Sequence, residues 1–135
     1  MSRRSRSTFR VRYAETDQMG LVHHAAYLVW CEIGRTDFIR ELGMSYAEIE
    51  QSGVYLAVAD ANLRYGAGAR YDDLIRVETW VEHLRSRTLT FGYEIHRVEP
   101  EPAHLARGTT TLICIDGHGR TRRLPDAVAA LFEDT

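Results

Sequence analysis

One stretch of this chain is helical in its periodicity, and almost everything after it is not. Between His24 and Leu42, the residues Tyr27, Leu28, Cys31, Gly34, Phe38, Ile39 and Leu42 recur three or four apart. That spacing marks one face of an amphipathic helix. Glu32, Thr36, Asp37 and Arg40 fall on the opposite side. A helix of this length is about 28 Å long. Trp30 and Ile33 spread its apolar surface beyond a single stripe, so it must be wrapped on more than one side. Ala26 and Gly34 would let another backbone approach closely, and Gly43 supplies a stop.

The wrapping material follows in the sequence. A short helix over 45–52 has Ser45 as N-cap and Glu48 at the capping-box position. The period then falls to two. Residues 54–65, 74–83, 88–97 and 104–115 each alternate apolar with polar side chains, as half-buried strands do. They are separated by 66–73, rich in glycine, and by 98–103, with Pro100 and Pro102. Asp116-Gly117 marks a turn, and Pro125 opens a terminal helix carrying Val128, Leu131 and Phe132. Upstream, residues 8–13 read as one more strand, with Phe9, Val11 and Tyr13 on one face. Residues 1–7 read as a flexible tail. Ten-residue strands span roughly 33 Å, close to the helix length. The expectation is a single α+β domain in which a curved antiparallel sheet wraps one long helix.

Composition narrows the function. The net charge is -2, which calls for neither nucleic acid nor an anionic membrane as main partner. All 17 basic residues are arginine. Phosphate contacts must therefore use guanidinium groups or backbone N–H groups, and a lysine Schiff base is excluded. Cys31 and Cys114 are too few for a disulfide framework or a cysteine-rich zinc site. The six histidines show no metal-binding spacing, so no metal and no cofactor are expected. No apolar run reaches the ~20 residues that span a bilayer. The basic start of the chain is followed by no apolar signal core. A reducing, cytoplasmic setting is the expectation.

Chemistry concentrates in the loop before the long helix. Tyr13-Ala14-Glu15-Thr16-Asp17-Gln18-Met19-Gly20-Leu21-Val22-His23-His24 packs carboxylates, imidazoles and a glycine against a helix start. Helix N-termini carry unpaired N–H groups and a positive partial charge, which can hold an oxyanion. A carboxylate beside them can attack a carbonyl or activate water. The plainer reading is that Thr16 and Asp17 cap a turn.

The loop resembles the signature of the 4-hydroxybenzoyl-CoA thioesterase family of hotdog-fold proteins, especially its Tol-Pal-associated acyl-CoA thioesterase branch. Tyr13, Glu15, Thr16, Asp17, Gly20, Leu21-Val22, His23-His24 and Tyr27 carry the match. Arg64-Tyr65 and Ala69-Arg70-Tyr71-Asp72-Asp73 resemble a second family segment, with Gly68 where the family often has proline. The resemblance implies a hotdog fold over roughly 8–132 and hydrolysis of an acyl-CoA or an acyl carrier protein thioester. It carries the catalytic carboxylate onto Asp17, as nucleophile or as general base. Oxyanion polarisation falls to N–H groups near His24, whose ring would assist. His23 is expected to be structural, and Glu15 to be a hydrogen-bonding partner within the loop. Tyr13, Gly20, Val22 and Tyr27 are expected around the substrate.

Asp60 and Asn62 interrupt an apolar strand, and are expected to face substrate or a subunit interface. Among Arg64, Arg70, Arg85, Arg87, Arg122 and Arg123, the pair Arg85 and Arg87 is expected to take the CoA phosphates. An open sheet leaves hydrogen-bonding edges, and family members pair them, so a homodimer or homotetramer is expected. Two rival readings remain. One is an acyl-CoA-binding module without catalysis. The other is a dehydratase of 3-hydroxyacyl thioesters using Glu32 with His23 or His24, although its His-aromatic-Pro-Gly signature is absent.

Overall fold

The computed structural model describes residues 3–135. Five strands form one antiparallel sheet in the order β1-β3-β4-β5-β2. They are β1 (Ser5–Arg10), β2 (Tyr55–Tyr65), β3 (Leu74–Leu84), β4 (Thr88–Glu99) and β5 (Ala103–Ile115). The long helix α1 (His24–Glu41) lies across the sheet. The short helices α2 (Tyr46–Gln51) and α3 (Asp126–Phe132) close the layer at its edges. The α+β architecture expected from periodicity is the one observed. So is the α2 cap, where Ser45 Oγ accepts from the Glu48 N–H at 3.1 Å.

Three expectations need correction. The first strand runs from Ser5 to Arg10, not over 8–13. Ser5 and Ser7, placed in a tail, are buried strand residues, while residues 1 and 2 lie outside the described ones. Past Val11 the chain enters a single 3-10 turn over Tyr13–Glu15, which swings Tyr13 outward. Strand alternation in the sequence hid this break, because the turn keeps the residue order while changing the direction. Second, Leu28 is exposed, as is Val29. The buried stripe of α1 is Tyr27, Trp30, Cys31, Gly34, Phe38 and Ile39. Third, the loop expected over 98–103 shrinks to a short connection between β4 and β5.

Packing explains α1's placement. A Cβ at Gly34 would come within 2.4 Å of Thr79 Oγ1 and 2.9 Å of Val77 Cγ1. Glycine is thus what lets the helix lie against β3. Trp30, Phe38, Phe91, Tyr93 and Phe132 fill the space between helix and sheet, all essentially buried. Burying a large aromatic side chain of this kind contributes on the order of 2–3 kcal/mol. Cys31 is buried and free, and burial pushes its thiol pKa up to about 12, which leaves it inert.

Candidate active site

The loop between β1 and α1 is folded by its own side chains. Asp17 Oδ1 accepts from the N–H groups of Met19 at 2.8 Å and Leu21 at 3.1 Å. The Asp17 N–H donates to Leu21 O at 2.8 Å, and the Gly20 N–H donates to Asp17 O at 3.0 Å. Gly20 sits at φ +80°, the left-handed conformation that a residue with a Cβ resists. The turn therefore grips one oxygen of the Asp17 carboxylate and fixes its direction. Both of the carboxylate's hydrogen bonds use Oδ1, and Oδ2 has no protein donor among the described residues.

Glu15 anchors the same loop from below. It is buried and accepts from Trp30 Nε1 at 2.7 Å and from the Arg12 N–H at 2.8 Å. Burial raises its pKa, but the Arg12 N–H, the Trp30 indole and the Arg12 guanidinium together outweigh that and hold it below the ordinary value. The Glu15 carbonyl accepts from the His23 N–H at 2.9 Å. The expectation that Glu15 is a loop partner is met. Its effect is to fix the loop to α1 at both ends.

His23 is the N-cap of α1, and its side chain caps nothing. The first-turn N–H groups of a helix have no intrahelical acceptor. Those of His24 and Ala25 have no backbone acceptor among the described residues. Tyr65 Oη donates to His24 O at 3.1 Å, which ties the helix start to β2. The loop docks on residues 69–71: the Val22 N–H donates to Ala69 O, and Leu21 bridges to Arg70.

An open cleft of about 990 Å³ surrounds Asp17, lined by Tyr13, Thr16, Met19, Gly20, His23 and Tyr71 among others. Tyr13 and Tyr71 meet edge to face at 5.5 Å. Both are exposed, and so is Met19. Of the residues singled out from sequence, Asp17, Tyr13 and Gly20 are brought together here. Val22 and Tyr27 face the core instead. Tyr27 Oη accepts from the Ala69 N–H at 3.4 Å, so it braces the segment that the loop rests on. His23, expected to be structural, is among the cleft's lining residues, and His24 is not.

Two further groups expected at the site lie away from this cleft within one chain. Arg85 and Arg87 follow the end of β3, while the Asp17 loop packs just before its start. Within one chain they are separated by the length of that strand, roughly 33 Å. Asp60 and Asn62 are exposed on the edge strand β2, on the sheet face away from α1, and neither lines the Asp17 cleft. Among the described residues no cluster of histidine, cysteine, aspartate and glutamate could hold a metal. No helix among them is long and apolar enough to cross a membrane.

A long helix wrapped by a five-stranded antiparallel sheet is the hotdog fold. Residues 11–132 match the model of the thioesterase-like superfamily, and the chain belongs to that family. It is 41% identical over 112 residues to YneP of Bacillus subtilis (strain 168), covering 83% of this chain and 80% of YneP. It is 30% identical over 125 residues to the acyl-CoA thioester hydrolase YbgC of Escherichia coli O6:H1, covering 92% of each. The crystal structure of DHNA-CoA thioesterase from Staphylococcus aureus superposes with a TM-score of 0.83 at 38% identity, covering 90% of this chain and 80% of that one.

Proposed function

We infer that this protein hydrolyses acyl-CoA thioesters to a carboxylic acid and a free thiol, with Asp17 as the central catalytic residue. The observation that carries this is the clamp on Asp17 Oδ1, which leaves Oδ2 without a protein donor among the described residues, in a cleft that Asp17 and the N-cap residue His23 both line. The thioester carbonyl would accept from the His24 and Ala25 N–H groups, which take up the developing negative charge. Asp17 then either removes a proton from water attacking the carbonyl carbon or attacks that carbon itself to form an anhydride. In both routes the C–S bond breaks and the thiolate departs; in the second, water then hydrolyses the anhydride, which releases the carboxylic acid and restores Asp17. A thiolate is a good leaving group, so one carboxylate and a dipole suffice without a serine nucleophile. His23 also lines the cleft, and its ring would move a proton there. His24 contributes through its backbone. Tyr13 and Tyr71 offer an aromatic wall to the acyl group.

The working unit is a dimer formed along β2. That strand is one of the sheet's two edges, and most of its residues are exposed. Val58, Leu28 and Val29 are exposed beside it and line a shallow groove with Ala61 and Thr110. Pairing two copies there about a two-fold axis removes the edge and covers the apolar residues. Asp60 and Asn62 then lie along the joint. An antiparallel β2–β2 pairing reverses the partner. It therefore sets one copy's Arg85 and Arg87 at the same end as the other copy's Asp17, where they can meet the CoA phosphates. Free, buried Cys31 and Cys114 fit a reducing cytoplasmic setting.

Release of free thiol from aromatic, short-chain and long-chain acyl-CoA substrates tests this reading. Turnover of at least one class is expected. Tight binding of acyl-CoA without release by any member would make the protein a binding module. Sedimentation of a monomer at working concentration would remove the dimer.

A further inference from the structure

The segment that carries Arg70 is held from several directions at once. The Arg70 N–H donates to Asp73 Oδ2 at 2.8 Å, and the Asp73 N–H donates to Arg70 O at 3.2 Å. Arg97 ties both sides of the segment: its Nη1 donates to Gly68 O at 3.1 Å and lies 3.7 Å from Asp73 Oδ2. Leu21 pairs with Arg70 across an antiparallel bridge, and the Val22 N–H donates to Ala69 O at 2.9 Å. Asp72 stands at φ +67°. That conformation costs a residue with a Cβ, and it persists only where the surroundings enforce it.

The side chain on this rigid base has nothing to hold. Arg70 is exposed, and its guanidinium makes no ion pair among the described residues. The carboxylates of the neighbouring segments are engaged elsewhere. Glu15 accepts from Arg12 and Trp30, Asp73 from the Arg70 N–H, and Asp17 Oδ1 from Met19 and Leu21. Asp72 makes no ion pair either. Arg64 is likewise without an ion pair, but it lines a different groove, with Trp80, Glu94 and Arg107. Arg70 differs in its place. Its Nη1 lies 3.6 Å from the point that a Cβ on Gly20 would occupy. Gly20 lines the cleft and closes the turn that clamps Asp17, and Tyr71, next in sequence to Arg70, lines the cleft too. A charged fork of donors thus stands at the rim of the cleft, over the turn that carries the carboxylate.

A guanidinium has five N–H donors and no acceptor, so what it meets in a substrate must be an acceptor. Its position restricts which. In a pantetheine thioester, two methylenes separate the sulfur from the first amide, whose carbonyl is the nearest acceptor on the thiol side. The phosphates lie beyond a second amide and a branched, hydroxylated stretch. They are too far along the arm to reach a group standing over the Asp17 turn while the thioester carbonyl is at Asp17. We propose that Arg70 reads the thiol side of the substrate: its guanidinium donates to the carbonyl of that first amide and so holds the scissile carbonyl over Asp17. The inference rests on the hydrolase reading above and assigns a residue that sets its specificity for the leaving thiol. Arg70 makes and breaks no covalent bond. Binding away from the reacting carbon orients that carbon for attack, and the rigid base under Arg70 keeps the donor in place.

The test presents one acyl group on three thiols: CoA, N-acetylcysteamine, which keeps the first amide and ends there, and pentanethiol, which matches its length without the amide. Wild type is compared with Arg70→Met, which keeps the chain and loses the donors, and with Arg70→Lys, which restores a cationic donor. Circular dichroism and the urea midpoint check folding. Expected for Arg70→Met is a loss of ~10-fold or more in kcat/KM on the CoA and N-acetylcysteamine thioesters, and a much smaller loss on the pentanethiol thioester. Arg70→Lys should recover part of the loss. The preference of wild type for the two amide-bearing thiols should shrink accordingly in Arg70→Met. An equal loss on all three thioesters would place Arg70 on the acyl group or on the turn, and would overturn the proposal. So would a loss confined to acyl-CoA, which would assign Arg70 to the phosphates, or no loss on any of the three. Failure of wild type to hydrolyse any of them would instead defeat the hydrolase reading, and this proposal with it.

Discussion

Replacing Glu15 by glutamine should destabilise the protein by about 2–4 kcal/mol, and the size follows from three hydrogen bonds. Oε1 accepts from the Arg12 N–H, and Oε2 from Trp30 Nε1 and, at 3.4 Å, from Arg12 Nη2. Glutamine keeps one acceptor oxygen and turns an NH2 group toward the other donors. If the carbonyl stays with Arg12, the Trp30 indole N–H is left facing a donor inside the core. A buried donor without a partner costs about 1–3 kcal/mol, and a hydrogen bond to a charged group contributes about 1.5–3 kcal/mol. The Arg12 guanidinium is largely exposed, so its ion pair adds little. The pH dependence has a definite sign. The pKa of Glu15 is lowered in the folded state, so at acid pH the unfolded chain binds the extra proton. The stabilisation is complete above the unfolded carboxyl pKa of about 4.3 and is lost as pH falls through the lower folded value. Urea unfolding at pH 7 and along a series down to pH 3 measures both effects. The glutamine variant should have a lower midpoint at pH 7 and a shallower acid limb. A variant within ~0.5 kcal/mol of wild type, with the same acid limb, would show that Glu15 is not the anchor of this loop.

Other perturbations separate packing from chemistry. Gly34→Ala gains about 1 kcal/mol of helix propensity but forces a methyl into Thr79 and Val77, at about 1–3 kcal/mol. Net destabilisation in urea is expected, and a stabilised variant would mean that α1 does not lie against β3 as described. Gly20→Ala strains a turn at φ +80° and slackens the clamp on Asp17. The expected result is a kcat loss of roughly 10-fold or more at nearly unchanged KM, read by thiol release, whereas a pure rise in KM would contradict the clamp. His23→Gln should lower kcat/KM by roughly 10-fold or more and change the pH profile. His24→Gln should change neither by more than about 3-fold, since its part is played by the backbone. The reverse ranking would return the ring of His24 to the mechanism.

Much of this architecture can be read from periodicity alone. The length of α1, the four long strands after it and the Ser45 cap all depend on local pattern and are observed close to where the pattern puts them. The loop chemistry was legible too, because Asp17, Gly20 and a helix start are adjacent in sequence. What stayed hidden depended on direction or on distance across the fold. Tyr13 continues the alternation of β1, yet a 3-10 turn points it into the cleft. His23 and His24 are neighbours, yet His23 lines the cleft and His24 does not. Tyr71 reaches the cleft through the pairing of Leu21 with Arg70, a long-range contact without a local signature. Leu28 follows the helical period of the core but stands outside it. That is the pattern expected of a residue kept apolar for a surface between subunits.

The central claim is that one carboxylate does the chemistry. Asp17→Asn is close to isosteric, and its side-chain oxygen can still accept from Met19 and Leu21, so the turn should survive. Thiol release by wild type and Asp17→Asn, on the acyl-CoA that wild type turns over best, tests the claim directly. A folded variant that has lost at least ~100-fold in kcat, within the range for an acid–base or nucleophilic group, is the predicted result. A folded variant that keeps its activity would contradict the account and move the chemistry away from Asp17.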